Sequence, residues 1–283
     1  LEKGMDVSIY ADPKYDYDQM EEIKKGLETG LDVSIYADPK YNSRQMGAIR
    51  TGLEEGFDVS IYADLDYNEY QMDAIRKGLK ADLNVSVYAD PKYDKYQMDA
   101  IRRGMESGID VSKYADPVFN AFQMFELKKA MESGIDVSFY AKPEFDSYQM
   151  RQISEGLRHG LDFASVYTYA DPVFNGFQMN EIRIGMESGL DVSVYMDPEY
   201  TNEQMKQIRY GMDHNIDVSR YADPSISASD MEEIRQHLEY GAPITGDINI
   251  GALNMSDTMT LDDQNALDNP EFDDLDDPGD IGD

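Results

Sequence analysis

The chain contains no cysteine, which removes disulfides, zinc-thiolate sites and thiol nucleophiles from consideration. Histidine is almost as scarce: His159, His214 and His237 are scattered over three repeats, so neither a shared metal site nor a catalytic triad is expected. There is no apolar run of the roughly 18 residues that a spanning helix needs, and no basic flank leading into a short apolar stretch at the start. No membrane partner is expected, and the default location is cytoplasmic. Basic residues are few, 25 Lys and Arg against 57 Asp and Glu, leaving a formal charge of −32. Phosphate binding requires a basic footprint, so direct contact with nucleic acid is not expected. Phosphate-cradling glycine loops and Gly-x-Ser-x-Gly elbows are missing too, and the expectation is a protein without enzymatic activity or cofactor. The recurrent Asp-x-Ser-x-Tyr-x-Asp run invites a calcium reading, but it lacks the glycine and the distal glutamate of a calcium loop. Helix caps account for it better.

What the sequence does contain is repetition. The segment Asp-Val-Ser-x-Tyr-Ala-Asp-Pro followed by Gln-Met, Ile-Arg and Gly-Leu recurs, with variations, in nine copies. Its tyrosine falls at Tyr10, Tyr36, Tyr62, Tyr88, Tyr114 and Tyr140 at intervals of 26, at Tyr169 after 29, then at Tyr195 and Tyr221. A period of this length means units that bury their apolar faces against their neighbours. The expected fold is all-α: an α-solenoid of nine 26-residue repeats, each with one short and one longer helix, over residues 1–241. Residues 242–283 carry twelve acidic side chains and no Lys, Arg or His, a composition that predicts a disordered acidic C-terminal tail. Removing the tail's −12 from −32 leaves −20 on the array. Leu1-Glu2-Lys3-Gly4-Met5-Asp6 matches the end of a unit, so the chain is expected to begin inside a helix and to be a fragment.

Each copy signals where its helix starts and stops. A short polar residue precedes Gln by three positions, as in Asp16 with Gln19, Asn42 with Gln45 and Thr201 with Gln204, while the ninth copy uses Ser227 and Asp230. This is a capping box. From it Met20, Ile23 and Leu27 trace one apolar stripe over about three turns. Gly30 and its equivalents sit where a left-handed residue closes the last turn, and the exceptions Asp82 and Asn215 are of types that tolerate positive φ. The segment Asp32 to Asp38 is predicted to form one helical turn or a short helix capped by Asp32. Gly26 and its equivalents lie inside the long helix at a cost of roughly 1 kcal/mol each, which implies close helix packing. Asp12, Asp38, Asp64, Asp90 and their counterparts precede a basic residue by twelve positions, and Lys142 and Ser154 lose both members together. That joint loss predicts an ion pair between turn and helix.

Function is sought where the copies disagree. Two residues past the helix cap the chain reads Asp18, Arg44, Tyr70, Tyr96, Phe122, Tyr148, Phe177, Glu203 and Ser229. The aromatics of the five central repeats lie away from the Met20–Ile23 stripe. They are either anchors of a partner surface or filler packed on the next repeat. Val118, Ala121 and Phe125 in repeat five, and Val173 and Ile184 in repeat seven, add apolar character, and repeat seven carries a three-residue insertion around Phe163 to Thr168 expected to form a loop. The candidate partner-binding residues are Tyr70, Tyr96, Phe122, Phe125, Tyr148 and Phe177.

The Asp-Val-Ser-x-Tyr-Ala-Asp-Pro…Gln-Met-x-x-Ile-Arg-x-Gly-Leu unit resembles 26-residue helical repeat arrays of Firmicutes mobile-element proteins. The resemblance covers residues 1–241 and implies a helical array in a context where defence-evading proteins are common, with no catalytic residues to carry over. Two functions are expected in competition. One is a non-enzymatic scaffold that binds a protein partner through the central aromatic column. The alternative is an acidic nucleic-acid mimic whose partner is a basic nucleic-acid-binding protein, such as a defence nuclease or restriction enzyme.

Overall fold

In the computed structural model residues 7–244 are described, and over them the protein is all-α, a solenoid of helical repeats. The expected disordered tail lies outside the described residues from 245 onward. The chain divides into two compact units, Leu1–Pro198 and Glu199–Asp283. The first holds α1 (Tyr17–Glu28), α2 (Ser43–Glu54), α3 (Glu69–Lys80), α4 (Lys95–Glu106), α5 (Ala121–Glu132), α6 (Ser147–Arg158), α7 (Phe163–Tyr169) and α8 (Gly176–Glu187). Its long helices pack in sequence, from α1 on α2 through to α5 on α6 and α6 on α8, with α7 against both α6 and α8. The second holds α9 (Asn202–Asp213) and α10 (Ala228–Tyr240), packed on each other. Between long helices most repeats insert a three-residue 3-10 turn such as Val33–Ile35, capped by Asp32, whose carboxylate accepts from the Ser34 amide and hydroxyl. Those two bonds hold the Asp32 carboxyl below its ordinary range.

The helix ends follow the predicted chemistry. Asp16 accepts from the Gln19 amide at 2.8 Å while Gln19 accepts from the Asp16 amide at 2.8 Å, and the reciprocal box recurs in every long helix of the first unit and in α9. At the other end the Leu31 amide reaches the Gly26 carbonyl and the Gly30 amide the Leu27 carbonyl, the pair of bonds that defines a Schellman stop. Gly30 has φ 76°, and Asp82 and Asn215 take φ 55° and 57° at the same register.

The box glutamine also joins one repeat to the next. With its oxygen committed to the cap, the Gln97 amide nitrogen donates to the carbonyls of Pro117 and Phe119 at 3.2 and 2.6 Å. Gln19, Gln71, Gln123, Gln149 and Gln204 make the same pair of bonds to their following turns. A buried side chain thus satisfies one amide in its own helix and two carbonyls across the interface. Repeat nine carries Asp230 here, an acid with no N–H to offer.

The internal glycines serve a neighbouring tyrosine rather than a neighbouring helix. A Cβ on Gly104 would overlap the hydroxyl of Tyr114 and lie 2.9 Å from Val111 Cγ1, and the same holds for Gly26 with Tyr36, Gly52 with Tyr62 and Gly185 with Tyr195. Tyr36 to Tyr221 are the most deeply buried large side chains, as expected of a core position, while Tyr10 is half-buried. His237 occupies the glycine register in the last repeat, where no further tyrosine arrives. α10 thus lacks both the amide and the glycine by which the preceding repeats receive their following turn.

At Asp38, Asp90 and Asp116 a bond within the turn takes the place of the predicted ion pair between turn and helix. Asp38 accepts from the Lys40 amide, Asp90 from that of Lys92 and Asp116 from that of Val118, so each acid closes its own turn. The basic ladder meets helix carboxylates instead: Arg50 binds Glu22 of the preceding helix at 2.8 Å and Glu54 at 2.6 Å, and Arg102 binds Asp99 and Glu106. A carboxylate one turn away on the same helix, or on the helix alongside, is nearer than one held in the turn. The double change in repeat six is therefore two separate changes. Ser154 gives up the ladder cation, and Arg151, three residues earlier, binds Glu126 at 2.6 Å. Glu126 is 3% exposed, and its second oxygen is buried without a partner. Replacing Arg151 by Met is expected to cost about 1–3 kcal/mol, less than the roughly 3–5 kcal/mol for breaking a fully buried pair because the arginine itself reaches solvent. Adding Glu126→Gln should recover most of it. Urea melts of the single and double variants test this, and an unrecovered double variant would refute the pairing.

Candidate partner-binding surface

The candidate row sits on the first turn of five successive long helices, α3 to α6 and α8, because each aromatic is the second residue after its N-cap. There the first-turn side chain points off the packed stripe, and the cap fixes its backbone: Asn120 accepts from the Phe122 amide and Asp146 from the Tyr148 amide. Tyr70, Tyr96, Phe122 and Phe177 are exposed, Phe122 most of all at 76%. Phe125 lies one turn along α5 from Phe122 and is also exposed, as are Val118 and Val173 in the preceding turns. Tyr148 differs. It is half-buried, its ring packs against Gly176 and lies 4.8 Å from the Phe177 ring. Of the two readings of the row, exposure fits Tyr70, Tyr96, Phe122, Phe125 and Phe177, and packing on the next repeat fits Tyr148.

Cations of the chain already use these rings. The Lys95 ammonium lies 4.7 Å from the Tyr70 centroid and 4.6 Å from the Tyr96 centroid, between consecutive members of the row. Arg151 lies over Tyr148 at 5.7 Å, and an Arg44 guanidinium nitrogen is 3.4 Å from the Tyr70 hydroxyl. The row thus reads as a ridge of ring faces, met by Lys95 and Arg44 at one end and by Arg151 and a ring contact at the other, with Phe122 between them.

A second aromatic group escaped the reading of the sequence. The insertion in repeat seven forms α7 and not a loop, because three extra residues after Asp162 complete a helical turn that Asp162 caps through the Ser165 amide. α7 brings Phe163 within 4.7 Å of Phe139, and Tyr167 within 5.9 Å of Phe163. Phe163 and Tyr167 are exposed. The signal was present: Phe139 stands where other repeats have Ile35, Ile61 or Val87, and Tyr167 precedes the core tyrosine by two. Among the described residues no group of three His, Asp or Glu is placed to hold a metal ion. No protein-family model, curated protein or solved structure matches the chain.

Proposed function

We propose that the protein is a binding scaffold whose first unit engages a protein partner along the Tyr70–Phe177 row. The observation that carries this reading is the exposure of four aromatics at one helix register on neighbouring repeats, together with Phe125. A ring left in water at one position is ordinary, whereas an aligned set forms an apolar patch of the kind that anchors interfaces. The stacking of the repeats leaves the rest of the unit rigid, so the row is presented without the ordering cost of a loop.

Changing Tyr70, Tyr96, Phe122, Phe125 and Phe177 together to Ala should leave the melting temperature within a few degrees of the parent, since exposed positions contribute about 0.5 kcal/mol or less each. Tyr148 is left intact because its ring packs on Gly176. The same variant should lose proteins that the parent retains from a lysate at about 0.5 M salt, where exposed charge attraction is screened. Partners kept by the variant and released from the parent by that salt would overturn the aromatic reading. That pattern is the signature of the alternative, an acidic surface occupying the basic groove of a nucleic-acid-binding protein.

A further inference from the structure

The row has four internal junctions, and the residue at the first position of the downstream helix decides what lies in each. Between Tyr70 and Tyr96 that residue is Lys95, which places its ammonium against both rings. Between Tyr148 and Phe177 it is Gly176, and the rings close on each other. At the two central junctions, Tyr96 to Phe122 and Phe122 to Tyr148, the residue is Ala121 or Ser147. Neither carries a charge. Arg151 already lies over the Tyr148 ring at 5.7 Å while bound to Glu126 of α5, so the ring that both junctions leave to a partner is that of Phe122. Phe122, which both junctions share, is correspondingly the most exposed of the row.

We infer that these two junctions receive cationic side chains of the partner against the two sides of the Phe122 ring, the partner being an extended basic polypeptide segment. This rests on the scaffold reading above and names the chemistry of what it binds. Lys95 is the internal template, since it shows that a cation fits between consecutive rings at this register. A guanidinium suits the site better than an ammonium because it stacks on ring faces while keeping its N–H groups for acceptors. Charge complementarity points the same way. The array carries −20, and Asp94 and Asp146 cap the helices that bear Tyr96 and Tyr148. Neighbouring helices lie about 8–10 Å apart, and an extended chain advances about 3.3 Å per residue. Arginines roughly three residues apart would therefore meet successive junctions.

The test uses the full chain and three capped peptides, (Arg-Ser-Gly)4, (Gln-Ser-Gly)4 and (Leu-Ser-Gly)4, with binding followed by calorimetry at about 0.15 M salt. The arginine peptide should bind and the glutamine peptide should not. In the double variant Ala121→Lys and Ser147→Lys the chain fills its own junctions, and affinity for the arginine peptide should fall at least tenfold with the melting temperature unchanged. Ser43→Lys with Ala228→Lys adds the same charge at the same helix position where the column of the row carries no ring, and should lower affinity by less than threefold. Equal losses in the two double variants would reduce the effect to general attraction by an acidic surface and overturn the inference. Binding of the leucine peptide in preference to the arginine peptide would also overturn it, while leaving the row as an apolar interface. Failure of all three peptides refutes the cation junctions, whereas the scaffold reading stands or falls on the alanine variant of the row.

Discussion

Replacing Gln97 by Glu is expected to destabilise the protein by about 3 kcal/mol or more at pH 7, although it alters only one terminal group. The new carboxylate can still accept from the Asp94 amide, as the Gln97 oxygen does at 2.7 Å. It cannot donate to the Pro117 and Phe119 carbonyls. Two acceptors lose their donor and a buried charge faces them, and each unsatisfied buried group costs about 1–3 kcal/mol. The loss should depend on pH. Burial and opposing oxygens raise the folded-state pKa of the new carboxyl above its unfolded value of about 4.3, so its penalty is small below that value and grows as pH rises through the folded pKa. Once protonated, the group can again donate to one carbonyl. Denaturant melts at pH 3.5 and pH 7, each against the parent at the same pH, give the answer, and an equal deficit at both would exclude this account. Gln97→Leu removes the cap as well and should show a pH-independent loss. The ninth copy carries an acid at this register, Asp230.

The parts of this fold that were legible in the sequence are those the chain decides within a few residues. Capping boxes, Schellman stops and the single turn after Asp32 depend on neighbours one turn away, so Asp82 and Asn215 could be assigned positive φ from their type and register alone. What touches across repeats is a different matter. In an array every pair of columns recurs with the same period, and periodicity cannot say which columns meet. The turn acids and the ladder arginines kept step with each other, yet Asp38 closes its own turn and Arg50 meets Glu22, a residue whose column reads Ala48, Ala74 and Ala100 in the next repeats. The same limit explains the internal glycines, whose constraint was visible but whose cause, a tyrosine ten residues ahead, was not. At the candidate surface, exposure of the row followed from helix geometry. The cation between Tyr70 and Tyr96 did not, because it depends on how far a lysine reaches along the neighbouring helix.

Truncating Tyr114 to Ala is expected to cost about 3–5 kcal/mol, the range for emptying a buried aromatic site, whereas Tyr114→Phe should cost nothing or stabilise slightly. The ring is fully buried, while its hydroxyl lies against the Gly104 backbone with no hydrogen-bond partner. Removing that oxygen takes away an unsatisfied polar group and leaves the packing intact. The equivalent change at Tyr195 should be less favourable, because its hydroxyl donates to the Glu181 carbonyl at 3.2 Å. The hydroxyl also sets the cost of any side chain at Gly104. Alanine there gains about 1 kcal/mol in helix propensity, but its Cβ would overlap the oxygen, and overpacking of this kind costs about 1–3 kcal/mol. In the Tyr114→Phe background the nearest obstacle becomes Val111 Cγ1 at 2.9 Å, which can give by a rotation. The two substitutions should therefore couple, with Gly104→Ala destabilising the parent and approaching neutrality in the phenylalanine variant. Ala130 in repeat five, set against Tyr140, indicates that the array can admit one methyl at this register. A double-mutant cycle measured by urea unfolding decides the matter: strictly additive effects would mean that the tyrosine hydroxyl is not what keeps the glycine in the helix.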